Sequence, residues 1–115
     1  VVNMKYIEWN DFQKIDIRVG TIIKVEDFPE AHNPSYKLII DFGAELGVKK
    51  SSAQITDLYE KKSLLGKQVL AVVNFPPKQI GPIMSECLVT GFHRSDGSVV
   101  LSSVDMDLPN GSKMA

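Results

Sequence analysis

The chain has 115 residues, 43% hydrophobic and 23% charged, and 13 basic against 14 acidic side chains leave a net charge of −1. That length supports one core, assigned to residues 4–115, and no apolar run reaches the roughly 20 residues a membrane helix needs. The near-neutral balance argues against a dedicated nucleic-acid binder, and the single cysteine, Cys87, forbids an internal disulfide. With no basic-then-apolar leader at the start, a cytoplasmic protein without membrane insertion is expected.

In chain order, Asn10 and Gln13 resemble a capping box and predict a helical turn around Phe12. Ile17, Val19, Thr21, Ile23 and Val25 alternate with Asp16, Arg18, Gly20, Lys24 and Glu26, the pattern of a strand with one face buried. Only Ile22 breaks it. Pro29 and His32-Asn33-Pro34 then interrupt the chain. Tyr36, Leu38, Ile40 and Phe42 mark a second strand, and Gly43 to Gly47 supply a turn. Val48 to Ile55 is a weaker third strand. Asp57 with Glu60 repeats the helix-start pattern, and that segment ends near Gly66. Val69 to Val73 is continuously apolar and predicts a strand covered on both sides. Ile83 to Phe92 and Val99 to Val104 follow, joined by a turn at Ser95-Asp96-Gly97.

Both helical pieces are too short to hold without packing. The pattern defines an all-β fold: a five-stranded OB-fold barrel with a short helix between strands 3 and 4 and flanking N- and C-terminal segments. The mid-chain helix favours this over an SH3-like barrel.

Nothing in the chain points to catalysis, a metal or a cofactor. His32 and His93 sit among turn residues, without partners at metal-ligand spacing. Cys87 lies in an apolar run with no adjacent histidine, the setting of an inert thiol. Asp16 and Asp41 sit on strands and could pair with Arg18 or Lys37, and nothing marks them as an acid–base pair. No glycine-rich phosphate loop occurs. A non-enzymatic protein is expected.

Asp16-Ile17-Arg18-Val19-Gly20-Thr21-Ile22, Phe28-Pro29-Glu30-Ala31 and Lys37-Leu38-Ile39-Ile40-Asp41-Phe42-Gly43 resemble the opening of the tRNA-binding domain, the OB-fold module attached to some methionyl- and phenylalanyl-tRNA synthetases. Ser51-Ser52-Ala53-Gln54-Ile55, Val72-Val73-Asn74-Phe75-Pro76-Pro77-Lys78, Ser85-Glu86 and Pro109-Asn110-Gly111 resemble its stand-alone CsaA-like branch. The likeness runs from about Phe12 to Met114. It implies a homodimeric chaperone that binds unfolded or precursor polypeptides and works with the secretion machinery. The synthetase-attached modules carry Asn-Leu-Lys-Pro where this chain has Asn74-Phe75-Pro76-Pro77, so the resemblance to the tRNA-binding form weakens at that loop.

The residues support a peptide groove in their own right. Phe75 beside Pro76-Pro77 offers an apolar patch that is already rigid, because proline fixes φ and little entropy is lost on binding. Ser52, Gln54 and Asn74 can donate to and accept from an extended backbone, with Lys50 and Lys78 at the rim. Phe75 could instead fill the core, and the prolines could protect a strand edge.

Glu86 shares a face with Met84 and Leu88, so its carboxylate needs a donor: Ser52, Asn74 or a backbone amide behind the groove, or else a partner across a dimer contact. Ser85 and Glu86 thus join the peptide set. Lys49, Lys50, Lys78 and Arg94 form the candidate tRNA-binding set. Apolar flanks exceed what one small core requires; Tyr6, Trp9, Phe12, Met106 and Leu108 are the candidate dimer interface.

Overall fold

The computed structural model describes residues 3–115. Five strands form one antiparallel sheet: β1 (Ile17–Asp27), β2 (Tyr36–Asp41), β3 (Val48–Ala53), β4 (Gln68–Val72) and β7 (Leu88–Val89), in the order β3-β2-β1-β4-β7. The sheet curls until β7 approaches β3, giving a nearly closed barrel consistent with the OB-fold. Two hairpins extend from it, β5 (Lys78–Ile80) with β6 (Ile83–Ser85) and β8 (Gly91–His93) with β9 (Val99–Leu101). Ile22, Leu38, Ile40, Phe42, Leu64 and Val69 are fully buried at its centre.

β1 departs from its simple alternation for a local reason. Ile22 pairs with Ile40 but Lys24 pairs with Ile39, so Ile23 is an extra residue in a bulge. A bulge re-aims the side chains beyond it. Gly20 and Ile22 face inward before the bulge and Val25 packs on the core after it, so Ile23 is left half exposed, against the expected alternation. Gly20 shares the inner face: a Cβ there would meet Ile40 Cγ2 at 2.5 Å and Phe42 Cε1 at 2.7 Å. Val19 is buried outside the main cluster.

β2 pairs with β1 only from Thr21 onward, which leaves the first half of that edge free. The C-terminal segment fills it. Val19 N–H donates to Ser112 C=O, and Gly111 N–H to Val19 C=O, at 2.9 and 2.7 Å; Met114 N–H donates to Ile17 C=O at 2.9 Å. Gly111 has φ of +90°, and a Cβ there would sit 2.6 Å from Phe42 O, so a side chain is excluded. Arg18 locks the arrangement, its guanidinium reaching Asp16 at 2.6 Å and Gly111 C=O at 3.0 Å. That pairing raises its pKa further, the Asp16 hydrogen bond being the main cause.

Helix α1 (Trp9–Gln13) forms where expected, but Glu8 and Asp11 make its capping box, with Glu8 N–H on Asp11 at 2.9 Å. Gly43 to Gly47, expected as a turn, contains the short helix α2 (Gly43–Leu46). Between β3 and β4 lies the expected helix, α3 (Lys61–Leu64), anchored by Leu64 and boxed by Glu60 and Ser63 in place of Asp57 and Glu60. The expected strand from Ile83 to Phe92 is broken into β6, β7 and β8. The reason lies at Glu86 and Cys87, which leave the β-ladder to close the barrel.

Candidate functional site

Closure is made by side chains as much as by a ladder. Glu86 N–H donates to Lys50 C=O at 2.8 Å, and Lys50 N–H donates to Glu86 Oε1 at 2.9 Å. Ser52 N–H donates to Ser85 Oγ at 3.3 Å, and Ser51 Oγ donates to Cys87 C=O at 3.1 Å. The Ser85-Glu86 pair thus substitutes for a strand neighbour along the edge of β3. The backbone amide is the partner that Glu86 needs.

This seam leaves a cleft of about 660 Å³. One wall is the β1–β2 loop with Ala31, His32, Asn33 and Ser35; the floor is Ser52 of β3 and Gln54 just past its end; the far wall is Phe75, Pro76, Lys78 and Ile80, with Ser85, Cys87 and Leu88 behind. Phe28 holds the first wall from beneath: it is buried, Lys37 Nζ lies 5.3 Å from its ring centroid, and the Gly81 turn of the opposite hairpin rests against the ring. Phe75 is 55% exposed and Leu88 52% exposed, so neither is consumed by the core. Both present apolar surface to the cleft.

Six of the nine residues expected at a peptide groove line this one cleft: Ser52, Gln54, Phe75, Pro76, Lys78 and Ser85. Lys50 and Glu86 stand behind it in the closure. Asn74 is committed elsewhere, its Oδ1 accepting from Asp16 N–H at 3.0 Å and its Nδ2 donating to Lys14 C=O at 2.7 Å. It ties β4's exit to the start of β1. Sequence reasoning did not assign His32, Asn33, Ile80 or Leu88; the His32-Asn33-Pro34 break was the available signal for the first wall.

Lys49 and Lys50 lie on β3, Lys78 begins β5, and Arg94 sits in the β8–β9 turn, where its N–H bonds Ser98 C=O at 2.8 Å. Tyr6, Trp9, Met106 and Leu108 are exposed; Phe12 is partly buried, its ring centroid 5.5 Å from that of Trp9.

Burial pushes the Cys87 thiol up to about 11, outweighing the Ser51 hydrogen bond and the Lys49 charge that lower it. The thiolate is therefore scarce at neutral pH. Among the described residues no group of three or more His, Cys, Asp and Glu side chains gathers in a metal-binding arrangement, and no helix is long and apolar enough to cross a membrane.

A nearly closed antiparallel barrel with a loop-walled cleft over its third strand is the architecture of an OB-fold binding module, whose ligands meet the strand 2–3 face and adjoining loops. The chain belongs to the tRNA binding domain family, whose model matches residues 17–113. It is similar to the crystal structure of the chaperone CsaA from Bacillus anthracis (48% identity, TM-score 0.91) and to that from Picrophilus torridus (55%, 0.89). Each likeness covers 96% of this chain and 100% of the other. A methionine–tRNA ligase from Methanocaldococcus jannaschii is 32% identical over 111 residues, which is 96% of this chain and 17% of that enzyme. The chain thus spans about a sixth of the curated relatives it matches.

Proposed function

We propose that this protein is a non-catalytic, ATP-independent chaperone that binds unfolded or precursor polypeptides in the cytoplasm and hands them to the secretion machinery. The observation that carries this reading is the make-up of the cleft. Phe75, Pro76, Ile80 and Leu88 form a preformed apolar surface, and Ser52 and Gln54 add hydrogen-bonding groups with no demand for one sequence. Its likeness to two CsaA chaperones supports the same reading. The protein acts as a homodimer in this account. Tyr6, Trp9 and Met106 are 95%, 66% and 76% exposed, a large apolar area for a lone subunit to leave in water.

The test is fluorescence anisotropy of a labelled unfolded peptide with wild type and Phe75→Ala. Truncating an exposed aromatic anchor should weaken the peptide about tenfold or more while the fold persists. Unchanged affinity would remove the cleft from the account.

A second reading is structure-selective tRNA binding, favoured by the family match over residues 17–113. It requires Lys49, Lys50, Lys78 and Arg94 to meet phosphates, and affinity that falls steeply with salt.

A further inference from the structure

The closure of the barrel stops short. Lys50 directs both its N–H and C=O away from β2, as its bonds to Glu86 show. Strand alternation gives Ser52 the same direction, and Gln54 follows directly after the end of β3. The Ser52 carbonyl receives only a 3.5 Å approach from its neighbour Ser51 Oγ. Among the described residues, neither the N–H nor the C=O of Gln54 has a hydrogen-bond partner, and Gln54 is exposed.

The facing edge is similar. Thr90 N–H bonds Leu70 C=O at 2.9 Å, so Val89, opposite Ala71, occupies a non-hydrogen-bonded position of the β4–β7 ladder. Its own N–H and C=O therefore point away from β4. Both edges line one cavity of about 760 Å³, and that cavity shares Asn33, Ser52, Gln54 and Leu88 with the apolar cleft.

Resting on the polypeptide reading above, we propose that a client segment enters as an extended strand where this seam opens past the end of β3, bonded through its main chain to the Ser52 carbonyl and Gln54 on one side and Val89 on the other. The open carbonyls of Ser52, Gln54 and Val89 call for N–H donors, and the N–H groups of Gln54 and Val89 call for carbonyls, the Ser52 N–H being held by Ser85 Oγ. An extended polypeptide supplies both in alternation. A phosphodiester backbone supplies acceptors and no N–H. Successive side chains of an inserted strand point to opposite faces, one set toward Phe75 and Leu88, where apolar residues suit it. Lys78 and Asp57 both line the joined space, so its charges balance and leave recognition to the main chain and the alternate side chains. The seam thus recognises backbone, and sequence enters only through the alternate side chains.

The test uses a nine-residue peptide of alternating valine and glutamine with one central glutamate, and a copy N-methylated at its central amides. The unmodified peptide should bind, and N-methylation should weaken it by about tenfold or more through loss of several main-chain bonds. Amide hydrogen exchange gives a second readout: the peptide should slow Gln54 and Val89 by about tenfold or more. Equal affinity of the two peptides together with unchanged exchange would overturn strand insertion and leave polypeptide binding standing. Absence of binding by the unmodified peptide would overturn both. Protection of Gln54 and Val89 by single-stranded RNA but not by peptide would assign the seam to nucleic acid and overturn the proposal.

Discussion

Glu86 holds both backbone polar groups of Lys50, its N–H on the Lys50 carbonyl at 2.8 Å and its carboxylate on the Lys50 N–H at 2.9 Å. One residue thereby does at the barrel's seam what a paired strand does elsewhere. The geometry also keeps the hairpin carrying Lys78 and Ile80 against β3, and so sets the width of the cleft.

Replacing Glu86 should therefore act on stability and on binding together. Glu86→Ala leaves the Lys50 N–H without its charged acceptor and should cost about 1–2 kcal/mol, the contact being solvent-exposed. A loss of that size lowers Tm by several degrees in a domain of this length, at about 4 °C per kcal/mol. Glu86→Gln keeps a carbonyl acceptor and should recover most of the loss. Thermal unfolding of the three proteins checks this; identical Tm values would mean the seam closes without Glu86.

Gly20 makes a sharper stability prediction. A methyl group there meets Ile40 and Phe42 well inside contact distance, and overpacking of this kind costs about 1–3 kcal/mol. Gly20→Ala should fall in that range in urea unfolding with an unchanged m-value. A neutral result would mean that the inner face of β1 has room that the structure lacks.

How much of this was legible in the sequence depends on the kind of interaction. Alternation located β1 and β2, and the continuous apolar run located β4, because burial leaves a periodic trace. Ile23 was assigned to the wrong face because a bulge shifts parity without changing composition. The break at Glu86-Cys87 was likewise hidden: an apolar run looks like one strand whether or not a single carboxylate leaves it to grip another strand's backbone. Phe75, Pro76 and Lys78 were assigned from local chemistry, and they share a cleft. Asn74 carries the same polar label as Gln54, yet its amide is spent on Lys14 and Asp16, nearly sixty positions away. Only tertiary contacts separate the two.

The thiol of Cys87 gives a pH prediction with a definite sign. Its folded pKa, raised to about 11 by burial, lies above the usual value near 9. Between those values the folded state binds more protons than the unfolded one, so stability is full below about pH 9 and falls as pH rises toward 11. Cys87→Ala should lose stability overall, through a small cavity, but show a shallower decline over that window. Denaturant midpoints at pH 8, 9 and 10.5 would test it; parallel declines in both proteins would refute the thiol's part.

The tRNA alternative makes its own demand on the lysines. Lys49→Ala with Lys78→Ala should weaken tRNA and reduce the slope of log affinity against log salt by about 2 if both meet phosphates. Peptide affinity should fall much less, since exposed charges contribute little there. Filter binding over a salt series measures the slope. An unchanged slope would place tRNA, if bound, away from these side chains.

The central claim is that the cleft between β3 and the Phe75–Ile80 arm takes polypeptide. The most direct measurement is a side-by-side titration of an unfolded peptide and of tRNA at physiological salt, with Phe75→Ala as the matched variant. The account predicts micromolar-or-tighter peptide binding that drops about tenfold in the variant, and tRNA binding that is weaker and insensitive to Phe75. Tight tRNA binding with no detectable peptide binding would contradict it.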